Sequence, residues 1–265
     1  MTEDADALAD LRDALRDLPG DVADVLFDVA NDLRALAVRA DVVEAFYRAA
    51  IHHGDTDSYL NLANVLADAG DDARALDMYR DAWRHGDVRG AFMAAQALED
   101  AGAYEEARDG YAFAAEELPE ASYRLSRVLT ATGEHHRAEA VLRGSAETSW
   151  ESAVDLALSG TLPADDATAL LRRHHDAGDT EVAVTLGVVL ERAGHDAEAR
   201  DVWRRAADGG DARAATNLAL ALDDLGDHAE ARTWWRRAAD GGDEKARLLL
   251  AEDDAAAPEE AAPGT

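Results

Sequence analysis

The side chains in this sequence best able to do chemistry are three adjacent histidine pairs, His52/His53, His135/His136 and His174/His175, and two Asp-Gly-Gly-Asp stretches at 208–211 and 240–243. Two imidazoles hold zinc from a helix when they share one face, as residues four apart do. Neighbours diverge by about 100°. None of the three pairs therefore supplies two ligands from one face, and they read as polar residues near helix ends, where a cation suits the helix dipole. The Asp-Gly-Gly-Asp stretches resemble a calcium loop but lack its alternating carboxylates and distal glutamate. Glycine followed by aspartate is instead the chemistry that ends one helix and starts the next. The sequence has no Gly-x-Ser-x-Gly, Walker or dinucleotide-type glycine pattern, and its many Asp/Glu pairs are what a solvated acidic helix carries. With no cysteine, thiolate sites and disulfides are excluded. The expectation is a protein that is not an enzyme, with no cofactor and no metal.

The elements that position these residues come from a repeat. The stretch WRRAADGGDARA from Trp203 recurs as WRRAADGGDEKA from Trp235, a period of 32. Self-similarity at such a period signals a stacked array whose units are too small to bury a core alone. Aromatic anchors fall at Tyr47, Tyr79, Tyr111, Trp203 and Trp235, with Leu171 one period before Trp203. The interval from Tyr111 to Leu171 is 60, four short of two periods, so one truncated unit is expected between them. Four places before the anchors stand Ala75, Ala107, Ala199 and Ala231, and three places after them Ala50, Ala82, Ala114, Ala206 and Ala238, which make one helical face. Seven places after come Gly54, Gly86, Gly178, Gly210 and Gly242, each followed by aspartate. Leu62/Leu66, Leu186/Leu190 and Leu218/Leu222 form the stripe of a second helix, closed at Gly70, Gly102, Gly133, Gly194 and Gly226.

Each unit thus reads as helix, tight turn, antiparallel helix, tight turn. The expected fold is all-α, with about fifteen or sixteen helices and no sheet. Upstream, Ala7, Leu8, Leu11, Leu15 and Leu18, then Val22, Val25, Leu26, Val29, Leu33 and Leu36, predict two capping helices within residues 1–40. The first sub-array is expected over 41–133 and a truncated or distorted repeat over 134–162. A second sub-array with a C-terminal capping helix would follow over 163–251, and a disordered acidic tail over 252–265.

Composition narrows the class of partner. The 56 acidic residues against 26 basic ones give a formal charge of −30, and Lys245 is the only lysine. A free-standing nucleic-acid binder needs clustered cations to replace phosphate counterions, so nucleic acid is not an expected partner. Dense carboxylate with almost no lysine resembles proteins of salt-accumulating halophiles, where charge keeps the molecule soluble and monomeric. The acidic N-terminus is the reverse of a signal peptide, and no stretch approaches the ~18 apolar residues of a membrane span. The expectation is a cytoplasmic monomer that does not engage membranes.

The order Ala-x-x-x-aromatic-x-x-Ala, with a leucine stripe and glycine turn before it, resembles the tetratricopeptide repeat. Tyr59-x-x-Leu62 and Leu186-Gly187 match the first-helix part of that pattern, whereas AADGGDARA at 206–214 and AADGGDEKA at 238–246 are similar to the related Sel1-like repeat. The unit is two residues shorter than the usual tetratricopeptide length and lacks its closing proline, so the chain resembles a hybrid of the two over about 41–251. The resemblance implies a right-handed α-solenoid, a superhelix of antiparallel helix pairs whose concave groove is lined by the first helix of each pair. It also implies an adaptor or scaffold holding a protein or peptide. Carried onto this chain, that register places Leu60, Asn61 and Asn64 on one first helix, Arg89, Phe92, Met93 and Gln96 on the next, and Tyr123, Arg124 and Arg127 on the third. Such a mixture suits a peptide carboxylate or an acidic helix; the alternative is that these arginines pair with neighbouring acids on a solvated face. Of the asparagines and cations of the family's carboxylate clamp, only Asn64 and Arg124 coincide. A smaller candidate set is Arg213, Asn217 and Lys245, and Trp234 is expected to pack under the last helix. The other functional class left open is an assembly module that uses the array's ends or convex face.

Overall fold

A computed structural model of the chain describes residues 2–256, with side chains described for residues 7–252. Among these residues there are sixteen α-helices, one short 3-10 turn and no strand. The helices are α1 Thr2–Arg16, α2 Ala23–Ala35, α3 Ala40–His52, α4 Ser58–Asp68, α5 Asp72–Arg84, α6 Val88–Asp100, α7 Tyr104–Ala114 and α8 Pro119–Ala131. They continue with α9 His135–Ser145, α10 Trp150–Leu158, α11 Ala164–Ala177, α12 Ala183–Arg192, α13 Asp196–Asp208, α14 Ala212–Asp224, α15 His228–Asp240 and α16 Glu244–Ala256. The 3-10 turn, Thr180–Val182, leads into α12. The chain divides into two compact units between Val141 and Leu142.

The joints follow from glycine and aspartate chemistry. After α3, Gly54 takes φ +104°, a left-handed conformation that a side chain would strain, and the N–H of Asp55 reaches back to the carbonyl of Ala50 at 2.9 Å. The alanine three places after each anchor supplies this carbonyl again at Ala82, Ala206 and Ala238. The aspartate then caps the next helix. Asp55 accepts from Ser58 N, Asp87 from Gly90 N, Asp211 from Arg213 N and Ala214 N, and Asp243 from Ala246 N. Asp179 differs: its Oδ2 lies 2.7 Å from Nδ1 of the buried His174 and caps nothing.

In the first unit the anchors Tyr47, Tyr79 and Tyr111 are buried, and each hydroxyl donates to the preceding helix: to Asn31 Oδ1 at 2.7 Å, Asn64 Oδ1 at 2.8 Å and Glu99 Oε2 at 2.7 Å. Each burial contributes roughly 1.5–3 kcal/mol. The bonds tie α2 to α3, α4 to α5 and α6 to α7, so the repeating pair reaches back to α2, ahead of residue 41. Val25 and Leu36, read as part of the α2 stripe, stand 61% and 75% exposed, while Leu26 and Ala30 carry the burial.

In the second unit Trp203 is buried on α13 and donates from Nε1 to the Val184 carbonyl at 3.1 Å, lying over Gly187 of α12. The four-residue shortfall is divided between two units: the buried alanines Ala107, Ala138, Ala167 and Ala199 are spaced 31, 29 and 32 apart. Between them α9 and α10 are regular helices, α10 the shortest α-helix among the described residues. At the C-terminus α16 runs on to Ala256, because Ala255 and Ala256 favour helix and no breaker precedes Pro258. Of the expected tail, 252–256 is therefore helical and 257–265 lies outside the described residues.

Successive pairs are joined by a ladder of ion pairs. Arg80 meets Glu106 through two bonds of 2.7 and 2.6 Å, Arg172 meets Glu198, and Arg204 meets Glu230 at 3.0 Å. Each partner lies 26 residues on, from one anchored helix to the next.

Candidate partner-binding face

The residues assigned from the repeat register lie on α4, α6 and α8, all in the first unit. Their packing decides which remain available to a ligand. Leu60 is half-buried against the core formed by α2 to α6. Asn61 donates from Nδ2 to Asn31 Oδ1 at 3.3 Å, the oxygen that also takes the Tyr47 hydroxyl. Asn64 spends its oxygen on Tyr79. Phe92 packs edge-on to Tyr111 with centroids 5.6 Å apart.

Met93, Gln96 and Arg124 do come together. They line a cleft of about 570 Å³ whose other walls include Asp72, Glu99 and Asp100. Arg124 stands 3.8 Å from Glu99, whose carboxylate is held in turn by the Tyr111 hydroxyl. Burial, and then the bond to Glu99, push the Tyr111 phenol well above its ordinary range; Tyr79 in the same wall is also raised, chiefly by burial. Neither phenol is an acid or base near neutral pH. The cleft sets three carboxylates against one guanidinium. Arg127 lies outside it, over the Tyr123 ring at 6.0 Å, and Arg89 is exposed on the first turn of α6. The three arginines are thus not gathered in the one cleft.

Among the smaller set, Arg213 opens α14 and lines a separate cleft in the second unit that neither Asn217 nor Lys245 lines. Trp234 is partly buried against the second unit's core, donates to Glu230 Oε1 at 3.2 Å and carries Arg237 over its ring at 5.0 Å. His52, His174 and His175 stand in the last turns of their helices, whereas His135 and His136 open α9, the opposite end from the one the dipole argument favours. Among the described residues no helix is long and apolar enough to cross a membrane.

Sequence reasoning missed two groups of residues. The first is the ladder of arginines and glutamates, whose 26-residue spacing was there to be counted. The second is His174, whose ring joins Asp179 to the Ala146 carbonyl, with Nε2 to oxygen 2.7 Å. No local pattern marks that residue.

The tetratricopeptide repeat family model matches residues 56–84 and 212–241, which are the pairs α4–α5 and α14–α15. A Sel1 repeat protein from Oxalobacter formigenes is similar in structure at a TM-score of 0.59 and 21% identity, over 73% of this chain and 89% of that one. A tetratricopeptide repeat protein from Parabacteroides merdae is similar at 0.53 and 16%, over 88% and 98%. Yeast Tom70 is similar at 0.55 and 17%, over 88% of this chain and 53% of its own. No curated protein sequence matches the chain. Helix pairs without a strand, joined at left-handed glycines and repeated on one register, define an all-α helical-repeat protein. Its fold is similar to that of tetratricopeptide and Sel1 repeat proteins, and the tetratricopeptide repeat model matches two of its helix pairs.

Proposed function

We propose that this protein is a non-enzymatic scaffold that holds a protein or peptide partner against the face formed by α4, α6 and α8. The observation that carries the reading is the 570 Å³ cleft of the first unit, where Met93 and Gln96 offer apolar and amide contacts between helices that are otherwise closely packed. Its lining sets Asp72, Glu99 and Asp100 against Arg124, and Arg124 already faces Glu99. This balance supports a ligand segment that brings an apolar or basic side chain into the cleft rather than a carboxylate. The formal charge of −30 agrees, since it repels acidic segments and nucleic acid and attracts basic ones. The same reading has the protein working as a cytoplasmic monomer.

The test is affinity capture of the partner from the native host in molar salt, followed by measurement of its affinity for variants. Gln96→Arg places a cation inside the cleft and is expected to weaken a basic or apolar segment at least tenfold, while Arg124→Ala leaves it unchanged or strengthens it. The opposite pattern would return the site to an acidic ligand. Indifference to both variants would move binding off this face. A second reading, assembly through the end of the array, is favoured by the exposed Val25 and Leu36; it expects Val25→Asp and Leu36→Asp to abolish a complex that Gln96→Arg leaves whole.

A further inference from the structure

The second unit holds a cleft of about 460 Å³ where the α11–α12 joint lies beside the α13–α14 joint. Arg205, on the last turns of α13, lines it. One period to either side, the corresponding arginines are ion-paired: Arg173 with Glu147 at 2.6 Å and Arg237 with Asp208 at 2.8 Å. Arg205 makes no ion pair or side-chain hydrogen bond among the described residues, although Asp176 occupies the register of Asp208. Arg213, across the cleft on α14, has an equally unengaged guanidinium. Two such cations lining one cleft stand out in a chain where acids outnumber bases 56 to 26.

The joint itself departs from its neighbours. Asp179 is drawn to His174 and leaves the start of the next helix uncapped, and that start is the 3-10 turn Thr180–Val182 rather than a regular α turn. His175, in the wall of the same cleft, keeps a buried Nδ1 with no hydrogen-bond partner. A buried polar nitrogen left unpaired is costly unless something occupies the site.

The two acids of the cleft are already engaged. Asp211 caps α14, and Glu181 Oε2 takes the Thr180 hydroxyl at 3.4 Å. Two guanidiniums against two carboxylates leave the cleft near neutral in a strongly negative chain, a field that tolerates one negative charge better than two. We propose that this cleft binds a carboxylate, held by the paired donors of Arg205 and Arg213. Guanidinium forks match the two oxygens of a carboxylate in one plane, which a spherical ammonium does not. The site stands independently of the α4–α6–α8 face, being in the other unit and of opposite preference.

The carboxylate could come from a small acid or from an acidic side chain of a polypeptide, and two probes separate these. One is propionate; the other is a glutamate flanked by alanines and blocked at both ends. Inorganic phosphate is the third titrant. Each is titrated into the protein while the Nε–Hε resonances of Arg205 and Arg213 and the ring of His175 are followed by NMR. Saturable shifts of these groups with either acid are expected, weakened at least tenfold in Arg205→Ala and Arg213→Ala and only partly restored by lysine. Both arginines are exposed, so unchanged helical circular dichroism should accompany the loss. Response to propionate assigns a small acid, and response to the peptide alone assigns a polypeptide. Absence of saturable shifts with both acids, tighter binding of phosphate, or undiminished binding by the alanine variants would overturn the proposal.

Discussion

The substitution Gly187→Ala tests the packing of the second unit most directly. A methyl group built at Gly187 would stand 2.1 Å from Nε1 of Trp203, 2.4 Å from Cε2 and 2.7 Å from Cδ1. Non-bonded carbon needs about 3.5 Å, so the indole must retreat by more than about 1 Å. Its 3.1 Å bond to the Val184 carbonyl then breaks inside the core. Overpacking costs about 1–3 kcal/mol, and a stranded buried donor about 1–3 kcal/mol. Alanine returns about 1 kcal/mol through helix propensity. The expected net loss is about 1–5 kcal/mol. Urea unfolding in molar KCl, followed by tryptophan fluorescence and by circular dichroism, reads it, and the two probes should separate because four of the five tryptophans, Trp203 among them, lie in the second unit. Ala219, buried one period on, is the control: Ala219→Gly carries no clash and should lose about 1–2 kcal/mol from helix propensity and the lost buried methyl. A Gly187→Ala protein as stable as the parent would refute the idea that the missing side chain makes room for the indole.

Three further outcomes follow from the structure. His174→Leu removes the ring that joins Asp179 to the Ala146 carbonyl and should destabilise the second unit by about 1–3 kcal/mol in urea melts; a change under about 0.5 kcal/mol would show that these bonds contribute nothing net. With a charge of −30, repulsion should be screened as salt rises and the Debye length falls from about 10 Å at 0.1 M to about 3 Å at 1 M, so the melting temperature should climb between those KCl concentrations; a flat or falling trend speaks against it. The Arg80 guanidinium holds the Glu106 carboxyl below its ordinary range, so the stability from this pair is present above the ordinary carboxyl value and lost as pH falls through the lowered one. Glu106→Gln should therefore cost no more than about 1 kcal/mol at neutral pH, given the pair's exposure, and the gap to the parent should close in acid; a gap that widens in acid would be inconsistent with the assignment.

The helix pairs were legible because the constraints that set them are local. A left-handed glycine with an aspartate behind it, found after four of the five Tyr- or Trp-anchored helices, has few other uses, and a buried Tyr or Trp at 32-residue steps within each unit leaves one face for the alanines. The first pair was harder to read: α2 lies ahead of the periodic anchors and joins the array through buried Leu26 and Ala30 and through Asn31, which receives the Tyr47 hydroxyl. The candidate face was legible as to which helices carry it and not as to what its side chains do. Asn64 looked free to bind a ligand, but Tyr79, fifteen residues later, has its oxygen. Arg124 looked like part of a positive site, but Glu99 and the neighbouring acids outweigh it, a fact set by the approach of α6 to α8 rather than by either sequence alone. Arg205 resembled every other arginine of its column until its neighbours' partners were known.

The hydrogen bonds of the tyrosine anchors and of Trp203 stay within a helix pair, while the arginine–glutamate ladder runs from one pair to the next. Force applied along the chain would therefore meet two kinds of resistance. Within a pair the holding groups are largely buried and indifferent to ions; between pairs they are exposed and screened as salt rises. A single molecule stretched between its ends should yield in discrete steps, each releasing one period of 32 residues, or about 110 Å of extended chain. Adding salt should leave the length of each step unchanged. What it should alter is how often one step triggers the next, since nearest-neighbour coupling is the quantity the ladder supplies.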